Sequence, residues 1–73
     1  MDRVADYGSA IQLLDKVLAT MPDNLVSLFN RALVYERTSA KSLAIADWKH
    51  YLRIDSSSLW ASEARRHLAA LQQ

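Results

Sequence analysis

The chain has 73 residues, no cysteine and a formal net charge of +1. A module this small buries only about 60% of the surface its unfolded chain exposes, and here it must hold together without disulfides or thiolate-bound metal. The near-neutral charge gives no drive towards phosphate backbones, and no apolar run approaches the roughly 20 residues of a membrane span, so neither nucleic acid nor membrane is the expected partner.

One Gly and one Pro in a chain rich in Ala and Leu predict an all-α fold, one module over residues 1–73. The first helix is expected from about Val4 to about Thr20. Val4, Tyr7, Ile11, Leu14, Leu18 and Met21 recur at spacings of three and four, widened by Ala10 and Val17. Gly8 weakens its first turn, so a start at Ser9 is the alternative. Met21-Pro22-Asp23-Asn24 ends it, because Pro disfavours helical geometry in the residue before it.

The second helix is predicted over about Asn24–Arg37, capped by Asp23. It carries two apolar faces. Leu25, Leu28, Ala32 and Tyr35 make one; Val26, Phe29, Leu33 and the stem of Arg37 make the other. Ser39 is expected to cap the third helix, about Ala40–Arg53, with a buried stripe of Leu43, Ala44, Trp48, Tyr51 and Leu52. Lys41, Asp47, Lys49 and His50 lie largely off that stripe. Asp55-Ser56-Ser57-Ser58 is a polar break offering several caps. The fourth helix, about Leu59–Leu71, points Ala61, Ala64, Leu68 and Leu71 inward, with Glu63, Arg65, Arg66 and His67 mostly in water. Short connections make helical neighbours antiparallel.

Shifting the chain by 34 residues superposes core on core. Ala10 falls on Ala44, Ile11 on Ile45, Leu14 on Trp48, Val17 on Tyr51, Leu18 on Leu52 and Leu25 on Leu59. Paired helices at that period resemble the tetratricopeptide repeat. Leu28, Ala32, Tyr35, Ala44, Trp48 and Tyr51 stand where that family's signature asks for large, small, aromatic, small, aromatic and small-to-medium residues. Asp6-Tyr7, Ala10, Leu14, Val17 and Pro22 match the second half of a repeat. The resemblance covers half a repeat, one full repeat and a last helix. Ser39 stands for a usual Gly and Ser56 for a usual Pro, and Arg66 and Ala69 replace the small and aromatic residues, so the last helix looks like a cap.

The resemblance implies a TPR-like α-solenoid of antiparallel hairpins that binds protein partners. The first helix of each pair then lines a groove for an extended peptide or a partner helix. Carried onto this chain, the groove positions are Val26, Phe29, Asn30, Leu33 and Arg37, and on the fourth helix Trp60, Glu63, Ala64 and His67. The alternative for Phe29 and Leu33 is ordinary core. Asn30 matches the Asn of the family's carboxylate clamp, but the clamp's basic positions fall on Trp60 and Ala64, with Arg65 adjacent.

Asp47/His50 and Glu63/His67 have the spacing of metal or acid–base pairs, and equally of exposed helix pairs worth a few tenths of a kcal/mol. No nucleophile motif or Gly-rich phosphate loop occurs, so the chain is not read as an enzyme and no cofactor is expected. Tyr7, Trp48 and Tyr51 are expected in the core, with a partner for the Trp48 indole N–H. The first helix keeps an apolar stripe that its neighbours cover only in part, which predicts a homodimer or higher species at millimolar concentration. Residues 1–6 lack the apolar core of a signal peptide, so a cytoplasmic location is the expectation. The expected function is a protein-interaction or assembly scaffold; the alternative is a self-associating structural unit.

Overall fold

The computed structural model describes residues 6–73. Four helices follow one another: α1, Tyr7–Thr20; α2, Leu25–Arg37; α3, Lys41–Ile54; and α4, Leu59–Leu71. The described residues contain no strand. Each helix packs mainly on its neighbours in sequence, and the α2–α3 pair is the most extensive. The fold is therefore all-α, with the character of a helical repeat. Val4, the first residue of the predicted α1 stripe, lies outside the described residues. Gly8 does not delay α1, which begins one residue before it.

The small residues set the close approaches. Ala32 on α2 and Ala44 on α3 are both fully buried in one core, as are Ala61 and Ala64 on α4. Large residues fill the remaining space: Leu28, Trp48 and Tyr51 are buried, and Leu25, Leu52, Leu68 and Leu71 pack round them half-buried. Small residues let backbones approach, and their large neighbours restore packing density. From α1 only Leu18 reaches the core. Tyr7, expected in the core, is half-buried and outside it, because the face it shares with Ala10 and Leu14 is covered on one side only.

Two predicted caps are wrong, and both for reasons of turn geometry. Asp23 does not cap α2; Asn24 does, accepting from Ser27 N at 2.9 Å. Asn24 N already donates to Met21 O at 3.1 Å, so the turn runs through Pro22 and Asp23 and the backbone first becomes extended at Asn24. Ser39 does not cap α3 either. Its φ is 63°, in the left-handed region, and it closes α2: Ala40 N donates to Tyr35 O at 2.8 Å and Ser39 N to Glu36 O at 3.2 Å. This pair of bonds is a Schellman motif, whose left-handed position is usually Gly. With Thr38 and Ser39 used to end α2, only Ala40 remains to begin α3, and it has no side-chain acceptor to offer. At the last break Ser58 is the cap, accepting from Ala61 N at 3.1 Å.

Leu43, expected in the buried stripe, is 52% exposed, whereas Asp47, expected off it, is 5% exposed. The two share a face of α3, being four residues apart. Asp47 is covered by Arg31 of α2. Arg31 donates to Asp47 through Nε at 2.8 Å and Nη2 at 2.9 Å, and through Nη1 to Asp15 of α1 at 2.8 Å. Its guanidinium carbon also lies 5.7 Å from the centroid of the Tyr35 ring. One side chain thus ties α1, α2 and α3. The hydrogen bonds that Arg31 donates to Asp47, foremost, hold it protonated well beyond the usual guanidinium range.

Candidate functional site

Phe29 is the centre of the surface between α2 and α4. Its ring meets Trp48 at 4.8 Å, Trp60 at 5.4 Å and Tyr51 at 5.6 Å between centroids, each edge to face. Such pairs add about 0.5–1.5 kcal/mol beyond burial of their area. Trp48 and Tyr51 lie beneath it in the core, while Trp60 stands on the outer side, 64% exposed. Val26, one turn before Phe29, is 70% exposed. Phe29 is therefore both core and groove: its inner edges seal the aromatic cluster and its outer surface floors an open groove.

That groove has a volume of about 370 Å³ and is lined by Leu25, Val26, Phe29, Asn30, Tyr51, Asp55, Ser58 and Trp60. Its size falls in the range of small-ligand and side-chain pockets. Apart from the Asn30 amide on α2, the polar groups of the lining gather at one end. There Asp55 accepts from the Tyr51 hydroxyl at 2.9 Å, from the Ser58 hydroxyl, and from Ser57 N and Ser58 N at 3.3 Å each. The Ser58 hydroxyl, then that of Tyr51, hold the Asp55 carboxyl below the usual carboxylate range. Burial, then the bond to Asp55, pushes the Tyr51 phenol up.

A second groove, of about 430 Å³, lies between α1 and α2 and is lined by Tyr7, Ala10, Leu13, Leu14, Asn30, Leu33, Val34 and Arg37. Leu13 on its rim is 66% exposed. Of the nine positions proposed for one site, Ala64 is fully buried in the core and lines no groove, and the other eight fall in three places. Val26, Phe29, Asn30 and Trp60 come together in the first groove; Leu33 and Arg37 lie in the second, with Asn30 shared between them. Glu63 and His67 line only a shallow hollow on α4 with Arg66 and Ala70. Arg65 faces neither groove. It donates to Ser56 O at 2.8 Å and so fastens the α3–α4 link.

The two His/carboxylate pairs suggested by spacing do not form. His67 turns from Glu63 to Glu36 of α2, with Nδ1 at 2.9 Å from Oε2, and stacks on the Trp48 ring at 4.9 Å. Glu63 pairs instead with Arg66. Glu36 also accepts the Trp48 indole N–H at 2.7 Å, which is the partner that ring needs. His50 lies 3.0 Å from Asp23, and Asp47 belongs to Arg31. Among the described residues no group of three or more His, Cys, Asp or Glu is arranged to hold a metal ion, and no helix is long and apolar enough to cross a membrane. Sequence reasoning missed Glu36, Arg31 and Asp55. A charged residue inside an otherwise apolar helix face was the available signal for the first two; nothing local marks Asp55 among several capping residues. Neither the family models nor the curated proteins nor the solved structures contain a match to this chain.

Proposed function

We propose that this chain is a tetratricopeptide-like, non-enzymatic interaction module that holds a peptide or partner helix in the groove between α2 and α4. One observation carries the reading: Val26 and Trp60 stand 70% and 64% exposed on either side of the half-buried Phe29. Leaving two large apolar side chains in water around an aromatic floor is costly unless a partner covers them. The family assignment is supported by full burial of Ala32 and Ala44, and by a left-handed Ser39 where the family carries Gly. The non-enzymatic reading is supported by the lining itself. Its only ionisable groups are Asp55 and Tyr51, and each is engaged by the other.

The test is a peptide-display selection on the intact chain, repeated on Trp60→Ala and Val26→Asp. Binders should be lost on both variants, while the mass in solution stays unchanged. Binders that survive both substitutions would show that the groove is not the site.

The second reading, self-association, is favoured by a different observation: Leu13 is 66% exposed beside the α1–α2 groove. It predicts a dimer or larger species at millimolar concentration that Leu13→Asp splits. A clean monomer in sedimentation would dismiss it, and an oligomer split by Trp60→Ala would favour it over partner binding.

A further inference from the structure

The α2–α4 groove is mainly apolar, with the neutral amide of Asn30 on its α2 side, and bears a single charge, that of Asp55 at the end nearest the α3–α4 link. Four donors surround this carboxylate, and all are neutral: the Tyr51 and Ser58 hydroxyls and two backbone N–H groups. Among the described residues no Lys, Arg or His pairs with it, and Arg65, fastened to the same link through Ser56 O, is not part of the lining. Neutral donors orient a carboxylate and keep it ionised, but they leave its charge uncompensated. The exposed indole of Trp60 at the same groove adds a π face that attracts cations. No positive side chain lines the groove to offset this negative end.

We infer that the groove selects a peptide in which an aliphatic or aromatic residue is followed or preceded directly by Arg or Lys. The apolar side chain lies on Phe29 between Val26 and Trp60, and the cation turns to Asp55. The inference rests on the proposed groove function and specifies its partner chemistry.

Three capped tetrapeptides, Ala-Leu-Arg-Ala, Ala-Leu-Gln-Ala and Ala-Leu-Glu-Ala, test it by titration into the isotopically labelled chain, followed by NMR shifts. The Arg peptide should bind about threefold or more tighter than the Gln peptide, and the Glu peptide most weakly, the range expected for one solvent-reached charge pair. The order should collapse as salt rises from about 20 mM to about 500 mM. It should also vanish in Asp55→Asn, while the salt series on the unaltered chain keeps the test valid if that variant folds poorly. Equal binding of all three peptides, with shifts at Val26, Phe29 and Trp60, overturns the charge selection and leaves the groove function standing. A preference that survives Asp55→Asn overturns the role given to Asp55. Absence of shifts at the groove with every peptide at millimolar concentration overturns both proposals.

Discussion

Arg31 grips Asp47 with two parallel hydrogen bonds, 2.8 and 2.9 Å long, in a place where Asp47 is nearly closed off from water. Removing Asp47 leaves Arg31 only its solvent-exposed bond to Asp15, and losing two charge-assisted hydrogen bonds in a place closed to water costs about 3 kcal/mol. Asp47→Ala should therefore cost about 3 kcal/mol in urea unfolding. The total stability of a chain this size is only about 4–11 kcal/mol at typical values per residue. Asp15→Ala removes the solvent-exposed arm of the same network and should cost no more than about 0.5 kcal/mol. Equal losses for the two substitutions would refute the asymmetry.

Gly8 lies inside α1, and a Cβ added there meets nothing within 4 Å. Gly8→Ala should raise stability by up to about 1 kcal/mol, the helix-interior difference between the two residues. Ser39, at φ 63°, presents the opposite case. Left-handed geometry costs an L residue about 1–2 kcal/mol, so Ser39→Gly should stabilise by up to about 1 kcal/mol after the extra freedom of the unfolded chain is counted. Thermal melts of the two single variants and the double check both signs, and the effects should add because the sites are independent.

Glu36 serves two partners, the Trp48 indole and His67. Glu36→Ala leaves a buried N–H without its acceptor and should cost about 1–3 kcal/mol. In a Trp48→Phe background, which has no N–H to strand, the same substitution should cost distinctly less. A double-mutant cycle with no coupling would show that this hydrogen bond contributes little.

Asp55 gives the fold an acid limit. Its carboxyl is depressed in the folded chain below its ordinary value of 3.8. The ionised form is thus favoured by folding, and its contribution is complete above about pH 4. That contribution is lost as pH falls below the ordinary value and through the depressed one. Stability followed by chemical denaturation from pH 6 downwards should fall more steeply for the unaltered chain than for Asp55→Asn. The gap between the two should narrow below about pH 4. Parallel curves would exclude Asp55 as a contributor.

Phe29 and Trp60 should separate stability from binding. Phe29→Ala removes a ring that touches three other aromatics and should cost about 3 kcal/mol. Trp60→Ala touches mainly that one ring from the outside and should change stability by less than about 1 kcal/mol. Trp60→Ala is for that reason the cleaner probe of the groove.

The helices and the central crossing were legible because they rest on period: Leu28, Ala32, Trp48 and Tyr51 recur at helical spacing, and all four are buried. Caps were less legible. Asp23, Asn24, Ser39 and the serines of the last break are all good cap residues, and the choice among them depends on where the turn before each helix lets the backbone extend. Charged residues were least legible. Asp47 and His67 look solvent-facing on their own helices. Their burial is decided by Arg31 and Glu36, 16 and 31 residues away in the chain. Of the groove, Val26, Phe29, Asn30 and Trp60 were expected from the resemblance to a tetratricopeptide repeat, which also named Leu33, Arg37, Glu63, Ala64 and His67 that do not line it. The Asp55 end was not expected, because it lies on a link and not on a periodic face.

Only Leu18 of α1 is buried, and its ion pair from Asp15 is half in water. This makes the protein layered in time as well as in space. Amide protons of α1 should exchange with solvent through partial openings that leave α2, α3 and α4 closed, since the two-armed grip of Arg31 on Asp47 does not involve α1. The α2–α4 groove then outlasts the α1–α2 groove whenever the molecule loosens, and a ligand in the first is held by the most persistent part of the fold.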